Sequence, residues 1–226
     1  MTKSILHKIL LIIFWLSACG LGITKALQWP ILELILTPIL PLTLVALYHF
    51  LNGKDQTIYF AFSFCFLGDI MILSENTNYF ASGLTAYWGA SILFSFSLYR
   101  ELNISMREAV NKTKMRIPFL IYAVYFILLM YFIQPYFGEV FIPTLIYALS
   151  LSFTCAFGFV VYFNRKSNPS LYFCLGLFFI SIGASIIVLN RYLFDYIPLR
   201  FFETLFYAPS LFFIFLYFKT KKTSDY

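Results

Sequence analysis

Between Ile5 and Phe218 the chain is a succession of apolar runs, each about as long as a bilayer is thick, separated by short polar breaks. A membrane-crossing helix needs about 20 apolar residues at a rise of about 1.5 Å each. Eight such runs are present, at 5–23, 31–51, 57–73, 79–98, 117–134, 140–163, 171–190 and 201–218. The third is short, so its polar end must reach an interface. The breaks carry turn and loop residues, among them Gln28-Trp29-Pro30, Asn52-Gly53-Lys54-Asp55, Asn168-Pro169 and Pro198. Hydrophobic residues make up 61% of the 226 positions, with 29 Phe and 17 Tyr, and charged residues only 12%. One soluble core of this size could not bury that much apolar surface, which excludes a cytosolic enzyme or a secreted domain. The expectation is an all-α polytopic membrane protein: one integral domain over 1–226, with eight transmembrane helices. Short breaks make sequence neighbours antiparallel partners.

The net charge of +6 is no nucleic-acid signal, because the sixteen Lys and Arg sit at the ends of the apolar runs. With the N-terminus inside, only Lys25, Arg191 and Arg200 fall outside and the other thirteen fall inside. That bias predicts cytoplasmic N- and C-termini in a multi-pass protein, here assigned to a bacterial inner membrane. The sequons at Asn103 and Asn111 lie in the basic break at 99–116, which this topology makes cytoplasmic, so they are discounted. Cys19, Cys65, Cys155 and Cys174 lie inside apolar runs with no CxxC, and His7 and His49 stand alone. Neither disulfides nor a metal site is expected, and no cofactor is implied. Leu16-Ser17-Ala18-Cys19 after Lys3 and Lys8 has the form of a lipoprotein signal. A first span that contains it by chance is the favoured reading, since apolar character resumes toward Ile23.

Asp69 is the most informative residue. It lies in Phe64-Cys65-Phe66-Leu67-Gly68-Asp69-Ile70-Met71, and a carboxylate at the centre of a membrane helix costs about 2.5–3.5 kcal/mol on insertion scales. It is expected to face the bundle interior with a partner, either as a general acid or base or as a structural hydrogen-bond acceptor. Gly68 beside it lets another backbone approach. Asn190-Arg191-Tyr192 ends the seventh run. Arg191 can pair with Asp69, hold a lipid phosphate as a charge-assisted fork, or reach along its stem to water. Glu33 and Glu203 each start a run, where a carboxylate suits the helix dipole. With Asp69 they also place acids on the outer side, where a polar cavity is plausible. The seventh run has no Lys for a retinal Schiff base, and no GxSxG, HExxH or P-loop occurs.

The order of Thr37-Pro38, Leu67-Gly68-Asp69, Gly83-Leu84, Ala184-Ser185, Leu189-Asn190-Arg191-Tyr192 and Tyr207-Ala208 resembles the YhhN-like lysoplasmalogenase family of eight-span membrane proteins, over roughly residues 30–218. The resemblance implies hydrolysis of the vinyl ether bond of lysoplasmalogens by two intramembrane aspartates. Asp69 matches the first. The second falls on Ala184, the family's Lys before the span-two proline on Thr37, and its span-four His on Ser91. Three readings stand. In the first, the chain is a hydrolase in which Asp69 works with a carboxylate from elsewhere, Glu203 or Glu33, while Asn190 and Arg191 bind substrate. In the second, it keeps the fold and binds a membrane lipid or lysophospholipid, or another membrane protein, without catalysis. In the third, the outer cavity is a transport path. Proximity of Glu203 to Asp69 discriminates the first two.

Overall fold

The computed structural model describes residues 3–74, 76–102 and 113–224. The sequons at Asn103 and Asn111, and Glu75, lie outside the described residues. Among those described there are eight α-helices and no strand: α1 (Lys3–Leu27), α2 (Pro30–Phe50), α3 (Gln56–Ile72), α4 (Thr77–Tyr99), α5 (Thr113–Ile133), α6 (Phe141–Arg165), α7 (Asn168–Leu189) and α8 (Ile197–Ser224).

Local chemistry sets the helix starts and stops. Pro30 occupies the first turn of α2, where a missing N–H costs nothing. Asp55 caps α3 by accepting from Thr57 N at 3.0 Å, and Asn76 caps α4 by accepting from Asn78 N at 2.9 Å. Ser167 and Ser170 form a reciprocal box at the start of α7. Helix α6 stops at Lys166, which takes a left-handed φ of +49°. Helix α7 widens into a π-helical turn, Asn190–Phe194, before Asp195 reverses the chain at φ +42°.

Six helices are long and apolar enough to cross a membrane: α1, α2, α5, α6, α7 and α8. Helix α3 is equally apolar but only 17 residues long. Helix α4 has the length and falls short in hydropathy because of its Ser, Thr, Asn, Tyr and Trp. Four of its hydroxyls are nevertheless satisfied inside the bundle, whereas Ser97 Oγ is buried without a partner among the described residues. Ser82, Thr85 and Ser91 each donate to the carbonyl four residues back, at 2.8, 3.0 and 3.0 Å. Ser95 bonds to Thr154 of α6 at 2.7 Å. Such bonding lets a polar helix live in apolar surroundings.

The packing order is a closed ring. Helix α1 packs on α2, α2 on α3, α3 on α4, α4 on α6, α6 on α7, α7 on α8, and α8 back on α1. Helix α5 lies outside the ring against α6, with little of its surface buried. The short-loop expectation of adjacent neighbours therefore holds except at α4–α6, where α5 is passed over.

Two of the helix ends that differ from the apolar-run boundaries bear on the site. Helix α1 continues through the Leu16-Ser17-Ala18-Cys19 tetrapeptide and past Ile23 to Leu27, carrying Lys25 inside it. Helix α8 starts at Ile197, so Glu203 lies nearly two turns in rather than at the start. The charges near these ends, Lys25 and Glu203, pair with each other inside the bundle, and the helices carry them. Lys25 is thus no loop cation, and Glu203 is no dipole cap.

The α7–α8 contact depends on Gly176. A Cβ there would stand 2.9 Å from the Ser210 carbonyl oxygen and 3.1 Å from the Ile214 nitrogen, both backbone atoms that cannot swing aside. Gly176→Val is expected to force the two helices apart and cost about 1–3 kcal/mol. Thermal unfolding in detergent would show this as a clear fall in midpoint, and an unchanged midpoint would contradict the close approach.

Candidate active site

Asp69 lies one turn from the end of α3, 1% exposed, inside the ring. Its Oδ1 accepts two hydrogen bonds, from Tyr87 of α4 and Tyr207 of α8, each at 2.5 Å. Its Oδ2 is buried and has no partner among the described residues. Gly68 makes this arrangement possible. A Cβ on it would stand 2.9 Å from the Tyr87 ring, so the missing side chain leaves space for the ring that reaches Asp69. The element admitted beside Gly68 is therefore an aromatic side chain. Tyr147 of α6 packs against Tyr87 with ring centroids 5.8 Å apart.

These groups border a cavity of about 50 Å³. Lys25, Thr37, Asp69, Tyr87, Tyr147, Glu203 and Tyr207 supply its polar wall, and Phe80, Leu84, Ile180, Ala184, Ile187 and Val188 are among its apolar residues. A water needs about 10–15 Å³ by this measure, so the space suits a few waters. It is well below the roughly 300–1,000 Å³ of a ligand pocket. A second cavity of about 30 Å³ shares Tyr147, Ala184 and Val188 with the first and continues toward Leu129 and Met130 of α5.

Lys25 joins three helices. Its ammonium is hydrogen-bonded to Glu203 Oε1 of α8 and lies 3.7 Å from Glu33 Oε1 of α2. Lys25 is 4% exposed, and both carboxylates are mostly buried. The sequence reading missed this ammonium as part of the site. The signal was there, since Lys25 stands only two residues beyond an apolar run and two carboxylates lie at the same end of neighbouring helices.

The other candidates are placed as follows. Glu33 meets the site through Lys25. Asn190 is buried and uses its Oδ1 to accept from Tyr196 N at 2.7 Å, closing the turn between α7 and α8. Arg191 stacks over the Phe80 ring at 3.8 Å and donates to the Ile72 carbonyl at 3.4 Å. Phe80 and Ile72 also line the cavity, so Arg191 adjoins that wall without lining the cavity itself, and Asp69 is held by tyrosines. Thr37 donates to the Glu33 carbonyl at 2.7 Å, and Ser91 to its own helix. Ala184 faces the cavity as an apolar wall residue. Among the described residues no group of three His, Cys, Asp or Glu could hold a metal ion.

An all-helical membrane bundle with a buried carboxyl, two tyrosine hydroxyls and a lysine–glutamate pair around one small cavity is the class of protein that these features define. The sequence model of the YhhN family matches residues 30–218, and the chain belongs to that family. No curated protein and no solved structure matches it.

Removing Lys25 alone leaves Glu203 and Glu33 as adjacent buried carboxylates. Breaking a buried pair from one side costs about 3–5 kcal/mol. Lys25→Met is therefore expected to lower the unfolding midpoint sharply, and Lys25→Met with Glu203→Gln to recover part of the loss. Equal midpoints for the two variants would show that the pair is not coupled.

Proposed function

We propose that the protein is a lysoplasmalogenase-type hydrolase that cleaves the vinyl ether bond of a lysophospholipid, with Asp69 and Glu203 as its two carboxyl groups. The observation that carries the reading is the shared cavity. Glu203 lines the same small space as Asp69, and that space is large enough for water. The family membership supports the same reaction, since the resemblance implies two intramembrane carboxylates. Here the second comes from α8, facing an α7 that carries Ala184.

The chemistry follows from the hydrogen bonds. Both tyrosines donate to Oδ1, so a proton on the Asp69 carboxyl sits on Oδ2, the oxygen without a donor. Asp69 delivers that proton to the β-carbon of the vinyl ether, and the α-carbon becomes an oxocarbenium ion. Glu203, ion-paired with the Lys25 ammonium, takes a proton from water as the water oxygen bonds to that carbon. The product is a hemiacetal. Its collapse returns the hydroxyl proton to Asp69 and passes the Glu203 proton to the departing glycerol oxygen, releasing a fatty aldehyde and restoring both groups. Arg191 beside the cavity wall holds the phosphate, and Asn190 fixes the turn that carries it. The headgroup exceeds the cavity, so it stays outside while only the vinyl ether enters. The same reading has eight membrane spans with both termini cytoplasmic, which puts the site on the outer side.

Purified protein in detergent with a lysoplasmenyl phospholipid should release fatty aldehyde, followed by mass spectrometry. Asp69→Asn and Glu203→Gln should each lower the rate by about 10²–10⁴-fold, the usual contribution of a positioned acid or base. No aldehyde from a folded wild type would leave lipid binding without catalysis as the function of the cavity. Ala184 in its wall is the observation that favours that second reading.

A further inference from the structure

We propose that the cleft at the end of the bundle opposite Asp69 binds the headgroup of an anionic glycerophospholipid. The cleft measures about 1020 Å³ and lies among the ends of α3, α4, α6, α7 and α8. It is about twenty times the volume of the Asp69 cavity and large enough for a phospholipid headgroup. It shares no residue with that cavity, so the inference stands apart from the proposed hydrolase.

Charge identifies the occupant. Lys54, Arg100, Arg165 and Lys221 line the cleft against two carboxylates, Asp55 and Glu101. Glu101 is held by Lys221 at 2.7 Å and by Arg165 at 3.6 Å, and its own carbonyl accepts from Arg165 Nε at 2.7 Å. That half of the cleft is a closed internal network. The other half is open. Arg100 Nη1 stands 3.8 Å from Asp55 Oδ1, its side chain is 52% exposed, and Lys54 is exposed beside it. A long, exposed ion pair is worth little, whereas a phosphate accepts a fork of two charge-assisted bonds from an arginine. The cleft thus has two positive charges in excess, with Lys54 and Arg100 on its accessible side.

The walls separate a lipid from a free anion. Phe60 and Phe96 line the cleft and stand 59% and 52% exposed on the flank of α3 and α4. Arg100 lies over the Phe96 ring at 5.2 Å, so cation and apolar surface are contiguous. A ligand that satisfies both halves carries a phosphate next to acyl chains. The phosphate meets Lys54 and Arg100 at the bundle end, and the chains descend along Phe60 and Phe96. Basic pockets between membrane helices bind anionic headgroups by this combination.

The test uses full-length protein in detergent, titrated with phosphatidylglycerol, phosphatidylcholine or inorganic phosphate, and read by native mass spectrometry and thermal unfolding. Phosphatidylglycerol should bind as a retained adduct and raise the unfolding midpoint, and the other two should not. Lys54→Gln with Arg100→Gln should weaken phosphatidylglycerol binding about tenfold or more, at about 1 kcal/mol for each basic residue near a surface. Lys54→Gln alone, at an exposed loop position, should show a smaller loss and keeps the test valid if the double variant does not fold. Equal retention of the two lipids, undiminished binding by the variants, or the same stabilisation by inorganic phosphate would each overturn the proposal.

Discussion

The ion pair between Lys25 and Glu203 is the interaction on which the architecture of the site depends. An ammonium inside a membrane bundle is tolerated only with a counter-charge at hydrogen-bond range. Lys25 has one on α8 and a second, Glu33, on α2. The pair joins the first helix of the ring to the last. It holds Glu203 in the cavity wall, where an unpaired carboxylate would turn to the surface.

Asp69 is kept by a different means. No cation touches it among the described contacts. Two tyrosine hydroxyls from α4 and α8 hold one oxygen and leave the other open to the cavity. The site thus has one carboxyl in a neutral hydrogen-bonded setting and one in an ionic setting, both lining one space for water. Two titratable groups with contrasting environments are how a single site assigns acid and base roles. The ring of seven helices serves this arrangement, because α1, α3 and α4 bring Lys25, Asp69 and Tyr87, and α8 brings both Glu203 and Tyr207. Helix α5 outside the ring brings none.

Much of the fold was legible in the sequence because apolar length is a strong signal. The eight runs foreshadow the eight described helices, and Asp69 stood out by its cost in an apolar segment. The misplaced details share one cause. Lys25 and Glu203 read as helix ends because charges usually mark interfaces, and one-dimensional patterning cannot show that two charges cancel across 178 positions. Tyr87 was not singled out, and Tyr207 was noted only within the Tyr207-Ala208 motif, not as a partner of Asp69. Among 17 tyrosines, the two that reach Asp69 differ from the others only in where their rings point. Gly68 was flagged as an opening, but what fills it could be seen only once α4 was in place. Asn190 attracted attention as a polar residue at a helix end, and its side chain proves to be spent on the turn.

The ring closure also has a meaning for biosynthesis. Lys25 enters the membrane with the first helix, and Glu203 arrives only with the last. Until then Glu33, on the next helix, is the one carboxylate within reach. The growing chain therefore carries an incompletely neutralised lysine until α8 is made. A product truncated before α8 would keep that lysine exposed on an open bundle edge.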